Sequence, residues 1–187
     1  MDERNDKVSE KKFPKFITGN KGKLEEAREI LSGVEQLDID LEEIQELDPR
    51  LVIEAKLKEA QKVVKGDFFC EDTSLYIEKM NGFPGPLIKW YMKAIGVDGI
   101  YNQTKVLDNC RAVAKTVIGY SCGDDIKFFE GIIEGEIVEP AGERGFGWDK
   151  IFRPNGFDKT FSQMSIEEKN KISMRRNALN KLKDYLN

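Results

Sequence analysis

Residues 13–31, FPKFITGNKGKLEEAREIL, decide the fold class. The first six residues, FPKFIT, form a short β-like run that ends at Gly19-Asn20. Beyond that turn, apolar residues recur at helical spacing on one face: Leu24, Ala27, Ile30 and Leu31. The chain therefore opens with a strand, a glycine-containing turn and a helix, which predicts an α/β fold.

The rest of the chain alternates between apolar runs and helical patterns, which predicts further strands and helices. The predicted strands are 37–41, 68–70, 75–80, 112–121, 126–130 and 132–138, and the predicted helices are 49–64, 87–95 and the region from Ser165 onward. Ser165 with Glu168 forms a capping-box pattern at the start of that last region. Residues 1–12 are mostly charged and are predicted to be a disordered tail, so residues 13–187 form one mixed α/β domain.

The charge balance and the cysteines restrict the possible partners and the location. Charged residues make up 34% of the 187 positions, but the net charge is only -4. A general nucleic-acid binder would carry a basic excess, so no nucleic-acid partner is expected, although a local basic pocket for a triphosphate stays open. No apolar run of the sequence is long enough to cross a bilayer. Three widely spaced cysteines without a secretory signal suit a reducing cytoplasm.

Histidine is absent from the sequence, and this restricts the chemistry further. Ser-His-Asp and Cys-His catalysis and every His-ligated zinc site are excluded. A metal would have to be a hard cation held by oxygen, and a general base would have to be a carboxylate or a lysine. Magnesium acting on phosphate esters is the commonest chemistry that meets these conditions.

The turn after the first strand is a candidate phosphate-binding loop. It reads Thr18-Gly19-Asn20-Lys21-Gly22-Lys23, between a strand and a helix. Such a turn presents free backbone N–H groups and the positive end of the helix to an anion, and Lys23 adds charge. The spacing of a Walker A loop is absent. A plain connection with solvated lysines explains the same pattern equally well.

Glu71-Asp72-Thr73 is a candidate metal and catalytic site. The predicted strand at 68–70 places these residues at its end, where open α/β sheets bind ligands. One carboxylate could hold Mg²⁺ and orient a water molecule, with Glu43 as a second ligand. The alternative is an ordinary acidic turn.

Two further segments have both a functional and a structural interpretation. Phe146-Gly147-Trp148-Asp149 lies in a glycine-flanked loop, where exposed aromatic rings could stack on a flat base or cover the core instead. Near the C-terminus, Lys169, Ser173, Arg175 and Arg176 form a polar cluster. Such a cluster is usually a solvated helix face, but arginine can also donate two parallel hydrogen bonds to a carbonyl or phosphate.

Taken in order, these motifs form a specific set. They are Ile17-Thr18-Gly19-Asn20, Lys23-Leu24-Glu25-Glu26, Glu71-Asp72-Thr73, Gly82-Phe83-Pro84-Gly85-Pro86, Ile88-Lys89-Trp90, Phe146-Gly147-Trp148-Asp149, and Glu168-Lys169-Asn170 with Ser173 and Arg175. Their order and spacing from about residue 13 to the C-terminus resemble the inosine triphosphate pyrophosphatase family.

The resemblance implies a fold and an activity. The implied fold is an elongated α/β structure with a mixed sheet flanked by helices and a nucleotide cleft between two lobes. The implied reaction is Mg²⁺-dependent hydrolysis of ITP, dITP and XTP to the monophosphate and pyrophosphate, which cleanses the nucleotide pool. A homodimer is also implied.

The resemblance also assigns roles to individual residues. The phosphate-binding loop is matched by Thr18, Gly19, Asn20, Lys21, Gly22 and Lys23. Asp72 matches the acid that binds the metal and activates water, with Thr73 beside it, and Glu43 matches the second metal ligand. Lys56, Lys89 and Lys169 match nucleotide contacts, and the base and sugar pocket is matched by Phe146, Gly147, Trp148 and Asp149.

One position departs from the family pattern. The Ser-His-Arg motif of the family, which belongs to the base-recognition region, reads Ser173-Met174-Arg175 here. Methionine cannot replace the hydrogen bond of an imidazole. We therefore expect retained pyrophosphatase activity with altered base selectivity. The alternatives are a pyrophosphatase with another base preference and a nucleotide-binding protein without activity.

Overall fold

A seven-stranded mixed sheet forms the centre of the computed structural model, which describes residues 13–187. The strands are β1 Lys15–Ile17, β2 Gln36–Leu37, β3 Phe68–Ile77, β4 Pro84–Gly85, β5 Arg111–Cys122, β6 Asp125–Ile137 and β7 Phe152–Pro154. The helices are α1 Lys21–Arg28, α2 Pro49–Gln61, α3 Ile88–Lys105, α4 Ile166–Asn170 and α5 Met174–Leu186, with short 3-10 turns at Glu78–Met80 and Phe161–Gln163. The predicted α/β class, with a mixed sheet flanked by helices, is confirmed, while the predicted tail lies outside the described residues.

The sheet has the strand order β2-β1-β3-β5-β6-β7, and β4 also pairs with β3. β1 runs parallel to β2 and β3, whereas all the other pairs are antiparallel. Only the first three strands thus follow the parallel pattern that the opening strand, turn and helix suggest.

One edge of β3 is open in its middle. β1 pairs with this edge only at Phe68 and Phe69, and β4 pairs with it only at Leu75 and Tyr76. Among residues 13–187, no strand pairs with that edge between positions 70 and 74. Because β3 continues to Ile77, the prediction that Glu71 and Asp72 end a strand is wrong: they lie in its interior, at this gap.

Alternation along the strands separates two cores. Phe69 of β3 packs with α1 and α5, whereas its neighbours Phe68 and Cys70 pack with α2. Successive strand residues point to opposite faces of a sheet, so α2 covers one face while α1 and α5 cover the other. A third cluster packs around α3 and β7 and includes Leu75 and Met174.

The two strands predicted at 126–130 and 132–138 form the single strand β6. The glycine between them, Gly131, is a point of close approach rather than a break. A Cβ atom on Gly131 would lie 1.8 Å from the carbonyl oxygen of Met174, at the start of α5. A hydrogen at this position therefore allows α5 to pack directly against the sheet.

Two other predicted elements differ in length. The strand predicted at 37–41 stops at Leu37, and Ile39 and Leu41 instead pack against the α2 core from an extended loop. α3 extends to Lys105, ten residues beyond the predicted end at Ile95, with non-helical backbone at Gly96. The capping box at Ser165 and Glu168 is confirmed. No helix within residues 13–187 has the length and apolarity needed to cross a membrane.

Candidate active site

A cavity of about 480 Å³ lies at the open edge of β3. Its walls come from the turn before α1, the extended loop before α2, the start of α3 and the loop between β6 and β7. Sixteen of the predicted site residues line it: Thr18, Gly19, Asn20, Lys23, Glu43, Lys56, Asp72, Thr73, Lys89, Phe146, Gly147, Trp148, Asp149, Lys169, Met174 and Arg175. The structure thus brings residues from nearly the whole chain to one place.

Three predicted residues lie beside the cavity rather than on its wall. Lys21 is the exposed first residue of α1. Gly22 lies under the ring of Phe146, where a Cβ atom would be 2.5 Å from the ring. Ser173 is fully buried and caps α5, because its hydroxyl accepts a hydrogen bond from the backbone N–H of Arg176 at 3.2 Å.

The turn before α1, the candidate phosphate-binding loop, is held by hydrogen bonds between its own residues. The Asn20 side chain accepts a hydrogen bond from the backbone N–H of Lys23 at 3.1 Å and caps the helix. The backbone N–H of Asn20 in turn donates to the hydroxyl of Thr18 at 3.1 Å. These bonds fix the turn, so that the N-terminal end of α1 and the Lys23 side chain both face the cavity.

The α2 side of the open edge carries acidic and basic groups that face each other. The Glu43 carboxylate forms ion pairs with the ammonium of Lys56 at 2.8 Å and with that of Lys89 at 3.4 Å. Burial alone would raise the pKa of Glu43, but the two lysines outweigh it and hold that pKa below its usual value. Asp72 points to the same side and accepts a hydrogen bond from the Ser74 hydroxyl at 3.0 Å. Burial raises the pKa of Asp72, and Lys23 and Lys56 offset this only in part.

Glu43 and Asp72 fit a site for Mg²⁺ that a substrate would complete. Both are oxygen donors on the wall of one cavity, and no cluster of three or more candidate ligands occurs within residues 13–187. Mg²⁺ is usually held by one or two carboxylates together with substrate phosphates and water, rather than by a complete protein cage. Two carboxylates beside the candidate phosphate-binding loop match that requirement.

Arg175 organises the opposite side of the open edge. It is 1% exposed, and its Nε lies 3.0 Å from both carboxylate oxygens of Glu71, while Nη2 lies 2.9 Å from Glu71 Oε1. Its Nη1 donates to Glu26, and Nη2 donates to the Thr73 hydroxyl at 3.2 Å. The predicted bidentate arginine is therefore present, but it binds an internal carboxylate.

Lys169 extends this cluster toward the β6–β7 loop. Its ammonium lies 2.7 Å from Glu26 and 2.8 Å from Asp149, and the residue is 3% exposed. Asp149 also accepts a hydrogen bond from the backbone N–H of Phe146 at 2.9 Å. The alternative of a solvated helix face is wrong for Lys169 and Arg175.

The ion pairs around Arg175 and Lys169 join into one cluster, which Lys23 enters because its ammonium lies 3.2 Å from Glu71. The cluster is a buried chain of alternating charges. In order it contains Lys23, Glu71, Arg175, Glu26, Lys169 and Asp149.

The two aromatic residues of the β6–β7 loop have different surroundings. Phe146 is half-buried, and the Lys169 ammonium and the Arg175 guanidinium lie 4.9 and 5.5 Å from its ring centre. Trp148 is 6% exposed and packs edge-on against Phe152. The prediction of two exposed rings is therefore wrong for Trp148, which belongs to the core and reaches the cavity only in part. Phe146 is the better candidate for stacking on a base.

Comparisons with known proteins show the family of this chain. The model of the Ham1 family matches residues 15–185. This chain belongs to the Ham1 family. It is similar to the inosine triphosphate pyrophosphatase of Schizosaccharomyces pombe, with 43% identity covering 91% of this chain and 93% of that protein. For the protein of the same description from Yarrowia lipolytica, the identity is 40%, covering 91% and 94%.

Solved structures of Ham1 proteins share the fold. The Staphylococcus aureus Ham1 protein has a TM-score of 0.79 and 30% identity, covering 93% of this chain and 98% of that chain. The Mycobacterium abscessus protein described as a nucleoside-triphosphatase and dITP/XTP pyrophosphatase has a TM-score of 0.69 and 25% identity, covering 93% and 99%. The family resemblance that the motifs predict is confirmed.

The sequence gives no role to Glu26 and suggests only a metal or catalytic role for Glu71, yet both residues shape this Ham1 site through buried ion pairs. Glu26 lies in α1 and is 4% exposed, and Glu71 is 5% exposed. The alternation of side chains along a strand could have separated Glu71 from Asp72. Neighbouring strand residues point to opposite faces of the sheet, so the two carboxylates cannot belong to the same side-chain cluster. No comparable signal marks Glu26, whose burial depends on the docking of α4 and α5 on α1.

The buried carboxylates predict a dependence of folding stability on pH. Burial would raise the pKa of Glu71, but Arg175 and Lys23 lower it to about 2, and the pKa of Glu26 is lowered in the same way. In the unfolded chain both return to about 4.3. Since their folded-state pKa values are the lower ones, their stabilising contribution is present above the unfolded value of about 4.3 and is lost as the pH falls below it, for Glu71 down to about pH 2.

Urea unfolding at a series of pH values measures this effect. We expect a constant midpoint between about pH 7 and 5 and a steep decrease below about pH 4.5. The raised pKa of Asp72 acts in the opposite direction, but the pKa values of Glu43, Glu26 and Glu71 are all lowered and outweigh it. A midpoint at pH 3 equal to that at pH 6 would contradict the expectation.

Proposed function

We propose that this chain is a nucleoside triphosphate pyrophosphatase that hydrolyses ITP, dITP and XTP to the monophosphate and pyrophosphate, and so cleanses the nucleotide pool. The observation that supports it most is one cavity in which Asp72 and Glu43 face Lys23, Lys56 and Lys89. Relatives named inosine triphosphate pyrophosphatase support the choice of ITP. The description of the Mycobacterium abscessus protein supports dITP and XTP.

The chemistry follows from these groups. Lys23, Lys56 and Lys89 donate hydrogen bonds to the triphosphate and reduce its charge. Asp72 accepts a proton from a water molecule as that water attacks the α-phosphorus. The bond between the α-phosphorus and the bridging oxygen breaks, and pyrophosphate leaves. When bound by Glu43, Asp72 and the phosphates, Mg²⁺ would stabilise the negative charge that develops on the phosphate oxygens.

The other side of the cavity suits the base. Phe146 packs on Gly22 and also lines the cavity, and the loop that carries it is held by Asp149. We propose that Phe146 stacks on the purine, while Thr73, Gly147, Trp148, Met174 and Arg175 shape the surrounding wall and Ser173 caps α5 behind it.

Met174 predicts an altered base selectivity. It is 1% exposed and lies on the cavity wall, at the position where the family has a histidine. A thioether is a weak acceptor and cannot donate, so it discriminates poorly between purines that differ in their hydrogen-bonding edges. We expect Met174→His to increase the preference for ITP over GTP by about tenfold, the value of one hydrogen bond. The ratio of kcat/KM values for the two substrates measures this, and an unchanged ratio would contradict it.

A Mg²⁺-dependent substrate panel with pyrophosphate detection tests the proposed function. The expected result is release of pyrophosphate from ITP, dITP and XTP, and its loss when EDTA removes the metal. Turnover restricted to pyrimidine or modified nucleotides would favour a pyrophosphatase of another base preference. Binding of ITP without any pyrophosphate release would favour a nucleotide-binding protein without activity.

We also propose that the chain is a cytoplasmic homodimer. The resemblance to the family supports the dimer, and the composition, with three unpaired cysteines, supports a reducing compartment. Light scattering of the purified chain tests the oligomeric state, and fractionation of the source cells tests the location.

A further inference from the structure

We infer that Glu71 is a positioning residue that holds the ammonium group of Lys23 at the open edge of β3, directed toward the triphosphate. This inference rests on the proposed function, because it concerns how one of the proposed phosphate contacts is held. Glu71 itself lies on the α5 side of the strand, whereas the proposed metal ligand Asp72 lies on the α2 side. Glu71 therefore acts through Lys23.

The Glu71 carboxylate is a fixed point in the molecule. Its side chain is 1% exposed, and both of its oxygens accept from Arg175 Nε at 3.0 Å. Arg175 is held in turn by Glu26 and by the Thr73 hydroxyl. A bidentate arginine contact fixes the plane of a carboxylate as well as its position. Glu71 consequently presents a negative charge at one defined place beside the cavity.

Lys23 is a flexible group that gains from such an anchor. Its ammonium lies 3.2 Å from Glu71 Oε1, and its side chain is 21% exposed, at the cavity wall. A free lysine side chain loses rotamer entropy when it orders on a ligand. An ammonium has three donors, so a contact with Glu71 leaves it able to bind a phosphate as well.

The anchor also separates Lys23 from the proposed metal ligand. Lys23 and Asp72 line the same cavity, and the Lys23 charge partly offsets the burial that raises the pKa of Asp72. Without Glu71, Lys23 would have Asp72 as its alternative partner. That pairing would withdraw the lysine from the phosphates and occupy an oxygen that the metal and the water need. Glu71 keeps the cation and the carboxylate both available to substrate.

A double-mutant cycle between Glu71 and Lys23 tests the inference. Glu71→Gln keeps the size of the side chain and removes its charge, and Lys23→Met removes the ammonium. We expect Glu71→Gln alone to raise the KM for ITP about tenfold, with a smaller change in kcat, since one charge-assisted hydrogen bond is lost. In the Lys23→Met background the same change should alter KM by less than about twofold. An equal effect in both backgrounds would overturn the inference, and so would an unchanged KM in Glu71→Gln.

Glu26→Gln is the matched control, because Glu26 is equally buried and pairs with the same arginine but contacts Lys169 instead of Lys23. Its effect on KM should be the same in both backgrounds, and a dependence on Lys23 as strong as that of Glu71→Gln would count against a specific role of Glu71. If Glu71→Gln does not fold, Glu71→Asp keeps the charge for Arg175 but retracts it by one methylene group. Its KM should rise in the same Lys23-dependent way, and an unchanged KM would overturn the inference.

The two proposals fail in different ways. A wild-type chain that binds ITP but releases no pyrophosphate overturns the proposed function. In that case the double-mutant cycle between Glu71 and Lys23 can be measured through the dissociation constant for ITP instead of KM, and it still tests the position of Lys23. An active wild-type enzyme without coupling between Glu71 and Lys23 overturns only the inference about Glu71.

Discussion

Asp72→Asn should lower kcat for ITP by about a thousandfold or more, because it removes both the proton acceptor and one proposed metal ligand. The amide has almost the same shape, and the Ser74 hydroxyl can still donate to its carbonyl oxygen. Burial raises the pKa of Asp72, so loss of the carboxylate should not destabilise the fold. We therefore expect an inactive variant with an unchanged or higher melting temperature that still binds ITP.

Asp67→Asn is the control for this prediction. Asp67 precedes the same strand, but it is exposed and accepts a hydrogen bond from the Tyr120 hydroxyl at 2.7 Å, away from the cavity wall. The pyrophosphatase activity of the Asp67→Asn variant should equal that of the wild type. Pyrophosphate release by Asp72→Asn at more than about a tenth of the wild-type rate would show that another group accepts the proton.

Arg175→Met should cost about 3–5 kcal/mol of folding free energy, since it removes one partner of a buried ionic cluster. The methionine fills part of the space but leaves Glu26 and Glu71 with one fewer cation between them. Both carboxylates are almost completely buried, and Lys169 and Lys23 can each compensate only one of them. Urea unfolding with and without the substitution measures the loss.

Arg176→Met separates the effect of the cluster from that of α5 itself. Arg176 is the next residue of the helix, only half-buried, and donates to the backbone carbonyl of Lys171. Its replacement should change the free energy of unfolding by less than about 1 kcal/mol. Similar losses for the two substitutions would mean that the ionic cluster contributes nothing beyond ordinary helix packing.

The sequence predicts the elements and the composition of the site better than the contacts within it. Local patterns are sufficient for the first strand and turn, and Asp72, Glu43 and the lysines that the family resemblance groups together do line one cavity. The partner of Arg175 is not predictable in this way, because the contact with Glu71 joins residues 104 positions apart. Gly131 is misread as a break for the same reason: the helix that approaches it lies more than forty residues later in the chain.

The position of Glu71 and Asp72 in the interior of one strand places a constraint on chain length. A slip of β3 by a single residue against β5 would turn every side chain to the other face. The carboxylate that Arg175 requires would then face α2, and the proposed proton acceptor would be enclosed by Arg175 and Glu26. Insertion or deletion of one residue in β3 would cause such a slip. It would therefore remove stability and activity together, whatever the type of the residue. We therefore expect length variation in β3 to be far less tolerated than substitution.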